Sequence, residues 1–358
     1  MKIVVFTCST GGGHNSCAKY IAKEFNDDGI KCDVKDYMEL AGEKASKMAE
    51  KLYLDSTKGK GNIFKTVYKL GELYNKSGIK SPVYGFNKLI VKKLDEFLVS
   101  NGYDLAIGTH VFPCLALTAL KKKKDIKFIN VATDYECIPF WNETNPDLFV
   151  IPSEKLISKF VEKGIKKDIL LPIGIPVASS FFDINKDIDL PHDKKRVLLT
   201  SGSMGFGEMK ECVDAILDNI DCYLIVVCGS NKELKNELDK INNDKLYVLG
   251  FINNMNQYMK SSDVIIAKPG GLTSTEITMM RKPFVIMMPI PGVENYNAKF
   301  FSDNGMGLYA SDVNEVVLCT KKILENKELE NNIILNQKKY INDKSASDLV
   351  QYVKKWMW

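Results

Sequence analysis

Residues 2–37 read "KIVVFTCSTGGGHNSCAKYIAKEFNDDGIKCDVKDY", and this stretch decides the fold. Its first apolar run, "KIVVFTCS", predicts a buried strand, and "KCDVKDY" predicts a second one. The segment between them predicts a helix that Gly29 ends, because apolar residues recur there at helical spacing. The shared face of this helix consists of Ala18, Ile21, Ala22 and Phe25. A strand, a helix and a strand in this order form the repeating unit of a parallel sheet.

The same alternation continues along the chain in two series. The first series goes on through the strand-like runs "DLAIGTH", "KFINVATDY", "LFVIPS" and "ILLPIGIP". Residues 182–195, "FDINKDIDLPHDKK", are polar and aperiodic, which predicts a linker. The second series consists of "RVLLTSGS", "CYLIVVCGS", "KLYVLGF", "DVIIAKPGG" and "PFVIMMPIP". The sequence therefore predicts an α/β protein with domains at 1–181 and 196–342, two doubly wound parallel sheets that face each other across a cleft. A helix at about 343–358 is expected to pack back on the first domain.

The composition excludes several classes of protein. Of the 358 residues, 45% are hydrophobic and 26% are charged, which is typical of a globular protein. The net charge of +4 is too small to indicate nucleic-acid binding. Nine cysteines without a C-x-x-C pair favour buried, reduced thiols over a disulfide framework. No signal peptide is evident and no window approaches the roughly 18 apolar residues of a membrane span, so we expect a cytoplasmic protein whose membrane association is peripheral.

His14 is one of only three histidines, and it directly follows the glycines at 11–13. Residues without a Cβ let the backbone approach a ligand closely, and a helix N-terminus favours an anion. The turn is neither a P-loop nor G-x-G-x-x-G, so a nicotinamide cofactor is poorly supported. From the residues alone, His14 is either a general base that works near neutral pH or a cap of the helix.

A second glycine turn, "TSGSMGFG", joins the strand "RVLLT" to a helix through Gly202, Gly205 and Gly207. Backbone N–H groups that converge at a helix start suit a diphosphate. The simpler interpretation is an ordinary strand-to-helix turn, which glycine also favours.

A third turn, "KPGGLTSTE", carries Glu276 about one turn into the next helix. A carboxylate there can accept hydrogen bonds from two vicinal ribose hydroxyls, or it can simply complement the helix dipole. The stretch "PIPGVENYNA" follows with Glu294 and Asn297, whose polar side chains could bind sugar hydroxyls.

The segment from Lys58 to Lys93 holds nine lysines and a single acid, Glu72. One helical face would carry Ile63, Val67, Leu70 and Tyr74, with Lys65, Lys69 and Lys76 off that face and with Phe64 and Tyr68 interleaved. A basic amphipathic stretch with aromatic side chains can lie in the headgroup layer of an anionic bilayer. The alternative is a surface helix with a solvated lysine face.

Taken together, "TGGGH", "TDY…W", "GIPV", "KPGGLTSTE" and "PGVENYNA" resemble the monogalactosyldiacylglycerol synthases and the bacterial processive diacylglycerol glucosyltransferases. More distantly they are similar to the transferase that adds N-acetylglucosamine to the lipid-linked peptidoglycan precursor. The resemblance implies a GT-B fold with a lipid acceptor in the first domain and a UDP-sugar in the second. It also implies inversion at the anomeric carbon without a metal or cofactor, and it favours membrane docking by the basic segment.

The resemblance implies roles for individual residues. His14 falls on the family's proposed general base, Glu276 on its ribose-binding glutamate and Phe251 on the residue beside uracil. Asp134 joins His14 as a residue implied in catalysis, and Lys268 can neutralise the leaving UDP. The donor-binding set is Gly13, Gly202, Ser203, Met204, Gly205, Phe251, Lys268, Gly270, Gly271, Thr273, Glu276, Glu294 and Asn297. The acceptor and membrane set is His110, Trp141, Phe64, Lys65, Tyr68, Lys69 and Lys76.

One motif departs from the family's pattern. Close relatives commonly read T-D-x-x-x-H-x-x-W, whereas this chain reads "TDYECIPFW", with Ile138 in place of the histidine. The departure concerns recognition of the acceptor headgroup. His110, in "GTHVFP", either lines the same site or caps a helix.

These expectations combine into a transferase that moves a hexose from UDP-glucose or UDP-galactose to diacylglycerol or a glycosyl-diacylglycerol, at the anionic inner face of the cell membrane. Alternatives are a transferase to a polyprenyl-linked or other lipid, a UDP-N-acetylglucosamine 2-epimerase, and a membrane-bound sensor of UDP-sugar without catalysis. The sequence does not choose between glucose and galactose, or between one added sugar and several.

Overall fold

The computed structural model describes residues 1–8, 12–42, 81–184, 188–202, 205 and 208–357. The chain divides into two compact units. The first comprises Met1–Ser180, Pro291–Val293 and Asp343–Trp358, and the second comprises Phe181–Ile290 and Glu294–Asn342.

The first unit is built on a parallel sheet of six strands among its described residues, in the order β2-β1-β3-β4-β5-β6. The strands are β1 (Lys2–Thr7), β2 (Lys31–Asp36), β3 (Leu105–Gly108), β4 (Phe128–Val131), β5 (Leu148–Val150) and β6 (Leu170–Leu171). The α-helices described between them are α1 (Gly12–Asp27), α2 (Met38–Ala41), α3 (Pro82–Asn101), α4 (Val111–Lys121) and α5 (Ile157–Glu162). Short 3₁₀ turns lie at Trp141–Glu143, Glu154–Leu156 and Lys167–Ile169. All neighbouring strands pair in parallel, as the alternating pattern predicted.

The apolar face predicted for α1 is confirmed. Its four residues, Ala18, Ile21, Ala22 and Phe25, are all buried. The sequence predicted a glycine turn before this helix. The helix instead begins at Gly12, so Gly12 and Gly13 belong to its first turn. The first N–H groups of a helix have no intrahelical acceptor, so those of this turn point out of the helix. His14 consequently lies inside the first turn of the helix.

The second unit has its own six-stranded parallel sheet among the described residues, in the order β12-β11-β10-β7-β8-β9. Its strands are β7 (Lys195–Thr200), β8 (Cys222–Val227), β9 (Leu246–Leu249), β10 (Val264–Ala267), β11 (Phe284–Met287) and β12 (Leu308–Ala310). Its helices are α6 (Met209–Asn219), α7 (Lys232–Leu238), α8 (Met255–Ser261), α9 (Gly271–Met279), α10 (Val293–Asp303), α11 (Val313–Glu325) and α12 (Lys327–Tyr340). A 3₁₀ turn at Ser179–Phe182 comprises the last two residues of the first segment of the first unit and the first two of the second unit. β12 was not predicted, because a three-residue strand at a sheet edge carries too short an apolar pattern.

Residues 188–195, which the sequence predicted as part of a linker, are tied to the second unit. The guanidinium of Arg196 donates to the carbonyl oxygens of Leu190 and Pro191 at 2.7 and 3.1 Å. The hydroxyl of Tyr223 donates to the Asp193 carboxylate at 2.8 Å. A polar, aperiodic sequence can be held in place by such hydrogen bonds without any apolar period.

The last helix, α13 (Ser345–Met357), lies in the first unit. The Ser345 hydroxyl donates to the carbonyl oxygen of Ile175 at 2.8 Å, and Lys354 pairs with Asp28 at the end of α1 at 2.9 Å. The helix therefore packs along α1 by its apolar side and is fixed at both ends.

All nine cysteines lie in the described ranges as free thiols, and eight of them are buried, as the apolar runs around several of them predicted. Burial raises the pKa of the Cys32 thiol to about 12, so this sulfur stays protonated. Within the described ranges, every helix is either too short or too polar to span a bilayer.

Candidate active site

Three neighbouring strands of the first sheet end in polar residues at one edge. His14 follows β1, Thr109 and His110 follow β3, and Thr133 and Asp134 follow β4. Because β1, β3 and β4 are adjacent and parallel, their carboxyl ends meet at the same edge. The strand order reverses between β1 and β3, and ligands of open α/β sheets bind at such a reversal.

The His14 ring is held at its Nδ1 atom. Nδ1 lies 2.8 Å from the carbonyl oxygen of Thr109 and 2.9 Å from Oγ1 of Thr133. A carbonyl oxygen can only accept, so the hydrogen-bond network assigns the proton to Nδ1. The Nε2 atom of the neutral ring then carries the lone pair, which is the state a general base needs.

Thr109 also fixes the backbone at His14. Its hydroxyl donates to the His14 carbonyl oxygen at 3.1 Å, while its own carbonyl oxygen accepts from the ring. One residue at the end of β3 therefore grips both the main chain and the side chain of His14.

Burial lowers the pKa of His14 below its usual value, and this is the largest influence on the ring. The Asp134 carboxylate and the Thr109 carbonyl oppose the shift, because both favour the imidazolium form. The net direction is downward, so the ring is neutral at neutral pH and able to take a proton.

His110 caps α4, as one of the two sequence interpretations predicted. The N–H of Phe112 donates to His110 Nδ1 at 3.2 Å. The same ring meets His14 edge-on, with centroids 4.8 Å apart and planes at 88°. Burial and the charge that His14 can acquire both lower the pKa of His110 well below its usual value. His110 is therefore a neutral wall of the site as well as a cap.

The loop after β4 carries the motif in which Ile138 replaces the family's histidine, and Ile138 is half-buried there. Trp141, predicted to contact the acceptor, is only 2% exposed and packs edge-on against Phe149 with centroids 5.0 Å apart. The Thr144 hydroxyl donates to the Trp141 carbonyl oxygen at 2.6 Å. The indole thus belongs to the core of the first unit, because a large ring beside a central strand is stabilised by burial.

In the second unit, the glycine turn after β7 has a conformation that requires glycine. Gly202 and Gly205 have φ of 78° and 60°. A Cβ on Gly205 would lie 2.0 Å from the carbonyl oxygen of Cys228. The Asn231 amide donates to the Gly205 carbonyl oxygen at 2.9 Å and caps α7 through Leu234 N–H. Gly205 is therefore fixed against the end of β8. Ser203, Met204 and Gly207 fall outside the described residues.

The turn after β10 lies beside the turn after β7, because these two strands pair in parallel. Gly270 is the N-cap of α9 and Gly271 is its first residue. Glu276, the sixth residue of α9, is 9% exposed, and Thr273 is half-buried. The predicted donor-binding residues of these two turns consequently share one edge of the second sheet.

Lys268 is partly buried at the end of β10. Burial lowers the pKa of its ammonium group, and the carboxylates of Glu294 and Glu208 oppose that shift. Glu294 also accepts from the Ile290 N–H at 2.6 Å, at the start of α10, and Asn297 is fully buried in the same helix. A cation held near two carboxylates can exchange them for the phosphates of a ligand.

Sequence reasoning missed three hydroxyls near these turns. Thr200 and Ser201 precede the glycine turn, and Ser274 lies in α9. Their side-chain oxygens are buried and have no hydrogen-bond partner in the described part of the chain. Such atoms are rare in proteins and can bind a polar ligand. The signal in the sequence was the pair of hydroxylic residues directly before the glycines.

Phe251 follows β9 and is 65% exposed, which leaves its ring available for stacking. Phe64, Lys65, Tyr68, Lys69 and Lys76 lie outside the described residues. From the basic segment, the structure describes Lys88, Lys92 and Lys93, all exposed on α3. Among the described residues, no three His, Cys, Asp or Glu side chains cluster as metal ligands would. The expectation of a metal-free reaction stays a prediction.

Comparison with known families agrees with the division into two units. Residues 14–177 match the family model of monogalactosyldiacylglycerol (MGDG) synthase, and residues 196–312 match the glycosyltransferase family 28 C-terminal domain. The chain is 31% identical over 344 residues to the processive diacylglycerol beta-glucosyltransferase of Bacillus thuringiensis (strain Al Hakam), covering 90% of this chain and 86% of the relative. The enzyme of the same name from Bacillus cereus (strain AH187) matches equally, at 31% identity over the same shares.

The chain belongs to this glycosyltransferase family. The resemblance stated from its motifs is thereby confirmed. Solved structures of glycosyltransferases confirm the predicted GT-B fold. MurG of Acinetobacter baumannii superimposes with a TM-score of 0.63 at 16% identity, covering 99% of this chain and 100% of that one. Spinosyn rhamnosyltransferase SpnG does so with 0.69 at 12% identity and the same coverage.

The fold alone does not separate this glycosyltransferase family from the epimerase alternative. UDP-GlcNAc 2-epimerase from Neisseria meningitidis, bound to UDP-GlcNAc, also superimposes with a TM-score of 0.63, at 13% identity over 99% of this chain and 100% of that one. Sequence identity over nearly the whole chain is what assigns the protein to the glycosyltransferases.

Proposed function

We propose that this glycosyltransferase moves a hexose from UDP-glucose or UDP-galactose to diacylglycerol, or to a glycosyl-diacylglycerol, at an anionic membrane surface. The acceptor is the one in the names of the relatives. The base and the donor-binding residues are those of the two candidate sites. The single observation that carries it is the His14 ring, whose Nδ1 is held by the Thr109 carbonyl so that Nε2 is left to act as a base.

The reaction would be a single displacement at the anomeric carbon of the sugar. The acceptor hydroxyl oxygen forms the new bond to this carbon while the bond to the UDP phosphate oxygen breaks, which inverts the configuration. The hydroxyl proton passes to Nε2 of His14, and the bonding electrons leave with UDP. Asp134 would favour the imidazolium that forms, because an opposite charge nearby stabilises it.

The second unit would hold the donor. The glycine turn at Gly202 and Gly205 can offer N–H groups to the diphosphate, and Lys268 can balance the charge of the leaving UDP. Glu276 would accept hydrogen bonds from the ribose hydroxyls, and the exposed ring of Phe251 would lie beside the base. Glu294 and Asn297 would contact the sugar. These groups carry electrostatic stabilisation without a metal or cofactor.

Membrane contact is the part of the proposal that rests on sequence alone. The lysines and aromatic residues of 58–93 would place the enzyme on an anionic surface, where diacylglycerol is available. In a bacterial cell, the proposal puts the protein on the inner face of the membrane, where nucleotide sugars are present.

The test is incubation of the purified protein with radiolabelled UDP-glucose or UDP-galactose and vesicles that contain diacylglycerol. Label in the lipid fraction with one of the two donors supports the proposal, and products with more than one sugar indicate successive transfer. The anomeric configuration of the product, measured by NMR, tests inversion. Transfer to a polyprenyl-linked acceptor only, or formation of a 2-epimer from UDP-N-acetylglucosamine without an acceptor, would contradict it.

A further inference from the structure

We propose that Thr133 is a positioning residue for His14: its hydroxyl, together with the Thr109 carbonyl, holds the Nδ1–H of the ring so that Nε2 points to the acceptor. The inference rests on the proposed role of His14 as a general base. Thr109 and Thr133 stand in the motifs "GTHVFP" and "TDYECIPFW", but their contacts with His14 were not predicted, because they lie 95 and 119 residues from it.

Two oxygens converge on one nitrogen, and their chemistry differs. The Thr109 carbonyl is an obligate acceptor and so determines which ring nitrogen carries the proton. Thr133 Oγ1, at 2.9 Å, is then a second acceptor for the same N–H. Its own proton remains available for another acceptor. Thr133 is only 7% exposed, so water competes weakly for this contact.

The two acceptors, the Thr109 carbonyl and the Thr133 hydroxyl, matter most once His14 has accepted its proton. The ring then becomes a cation in a buried site, where an unsatisfied charge is costly. The Nδ1–H needs acceptors, and hydrogen bonds to a charged group are stronger than those to a neutral one. The titratable groups that face the ring are Asp134, which favours the cation, and neutral His110, which does not. The dipole of the Thr133 hydroxyl also favours the imidazolium form of the ring.

The arrangement also restricts rotation of the ring. Thr109 and Thr133 come from two different strand ends, β3 and β4, while His14 starts the helix after β1. Threonine is β-branched, so its side chain has few χ1 rotamers and its hydroxyl has few positions. A ring gripped at Nδ1 from two strands keeps Nε2 in one direction, which is what efficient proton transfer requires.

The chain allows a clean experiment because it holds only three histidines, His14, His110 and His192. NMR of the 358-residue chain with ¹⁵N-labelled histidine side chains reports the tautomer and the titration of each ring, without substrate. The spectrum of His14→Gln identifies the His14 signals. In the wild type we expect His14 to carry its proton on Nδ1.

Thr133→Val removes the hydroxyl at almost constant volume, and Thr133→Ser keeps it. Thr320→Val is a matched control, because Thr320 is a fully buried threonine of α11 whose hydroxyl donates to the Val316 carbonyl oxygen. In Thr133→Val we expect the His14 titration to move about one unit lower and kcat to fall about tenfold, since an acceptor for a charged N–H is lost. The KM for the UDP-sugar should not change. Thr133→Ser and Thr320→Val should retain the wild-type titration and rate.

Two outcomes would overturn the inference. The first is a wild-type His14 that carries its proton on Nε2, which can be seen even if Thr133→Val does not fold. The second is a folded Thr133→Val whose His14 titration and kcat equal those of the wild type. Because the NMR measurement needs no substrate, a protein that fails to glycosylate diacylglycerol can still pass or fail this test.

Discussion

His14 shows how a fold changes the chemistry of one residue. The free side chain titrates near neutrality, but here burial disfavours the charged ring while Asp134 and Thr109 favour it. The balance leaves a neutral ring with a defined tautomer. Neutral His110 lies edge-on beside it and adds no competing charge. The site therefore holds one base, and the Nε2 lone pair of its ring points in a defined direction.

His14→Ala should reduce turnover by about 10²–10⁴-fold, because removal of a general base typically has an effect of this size. Affinity for UDP should be nearly unchanged, because the base acts on the acceptor and every predicted donor-binding residue except Gly13 belongs to the second unit. Turnover and UDP binding by calorimetry are the measurements. His192→Ala, at an exposed position outside both candidate sites, is the control and should behave as wild type. Near-normal turnover of His14→Ala would remove the residue from the mechanism.

The histidine pair also predicts how stability and activity depend on pH. Because the folded pKa of His14 and of His110 lies below the unfolded value of about 6.5, the unfolded chain binds more protons below that pH. The free energy of unfolding should therefore fall as the pH drops below about 6.5, and the acidic limb of kcat/KM should lie below that pH. Urea titrations between pH 5 and 8 and a pH–rate profile test this. In His110→Gln the stability slope should be smaller, and an unchanged slope would contradict the assignment.

At the scale of elements, strand-to-helix turns carry most of the candidate residues, and the turn after β7 has the most demanding geometry. Gly205 combines a positive φ with a main-chain contact that leaves no space for a side chain. Asn231 then connects that turn to the start of α7. Gly205 is therefore held between the end of β8 and the start of α7.

Gly205→Ala should lower the free energy of unfolding by about 2–4 kcal/mol, from the strained φ and the overlap with the Cys228 carbonyl. Gly85→Ala is the opposite case, because Gly85 lies in α3 and a Cβ there would meet no atom of the described residues within 4 Å, so it should stabilise the protein by up to about 1 kcal/mol. Denaturant unfolding of both variants is the measurement. Equal stability of Gly205→Ala and wild type would show that the turn can relax.

The basic segment, residues 58–93, lies mostly outside the described residues and leads to a prediction about membrane binding. Changing Lys65, Lys69 and Lys76 to Gln should weaken binding to anionic vesicles about a hundredfold at low salt, at about 1 kcal/mol for each lysine. High salt should reduce the difference. Phe64→Ser with Tyr68→Ser should weaken binding with little salt dependence, since apolar burial is not screened. Cosedimentation across a salt series measures both, and equal binding to neutral and anionic vesicles would favour a solvated surface helix instead.

For the whole molecule, the two units divide the proposed chemistry between a base in the first and a nucleotide site in the second. Each unit has its own sheet, with His14, His110 and Asp134 after strands of the first sheet and Gly202, Lys268 and Gly270 after strands of the second. Changes in one unit should therefore alter one set of measurements and leave the other unaltered.

Glu276→Ala tests this division. UDP affinity should fall, because losing a charged acceptor costs about 1.5–3 kcal/mol for each hydrogen bond, whereas the titration of His14 should stay the same. Calorimetry and histidine NMR on the same sample give both quantities. Unchanged UDP affinity in a folded variant would refute the ribose assignment.

Activity of the wild type should also survive a chelator. Loss of activity in EDTA that Mg²⁺ restores would refute the metal-free reaction.

Local patterns in the sequence were enough to predict eleven of the twelve described strands, the buried face of α1 and the family, because each depends on residues close together in the chain. β12 and the early start of α1 escaped prediction, since short edge strands and helix ends carry little periodic signal. Only the tertiary structure decided the surroundings of His14. Thr109 and Thr133 reach its ring because β1, β3 and β4 are neighbours, and hydrogen bonds across 95 and 119 residues leave no trace in local periodicity. The burial of Trp141 was decided in the same way, by packing against Phe149 on β5.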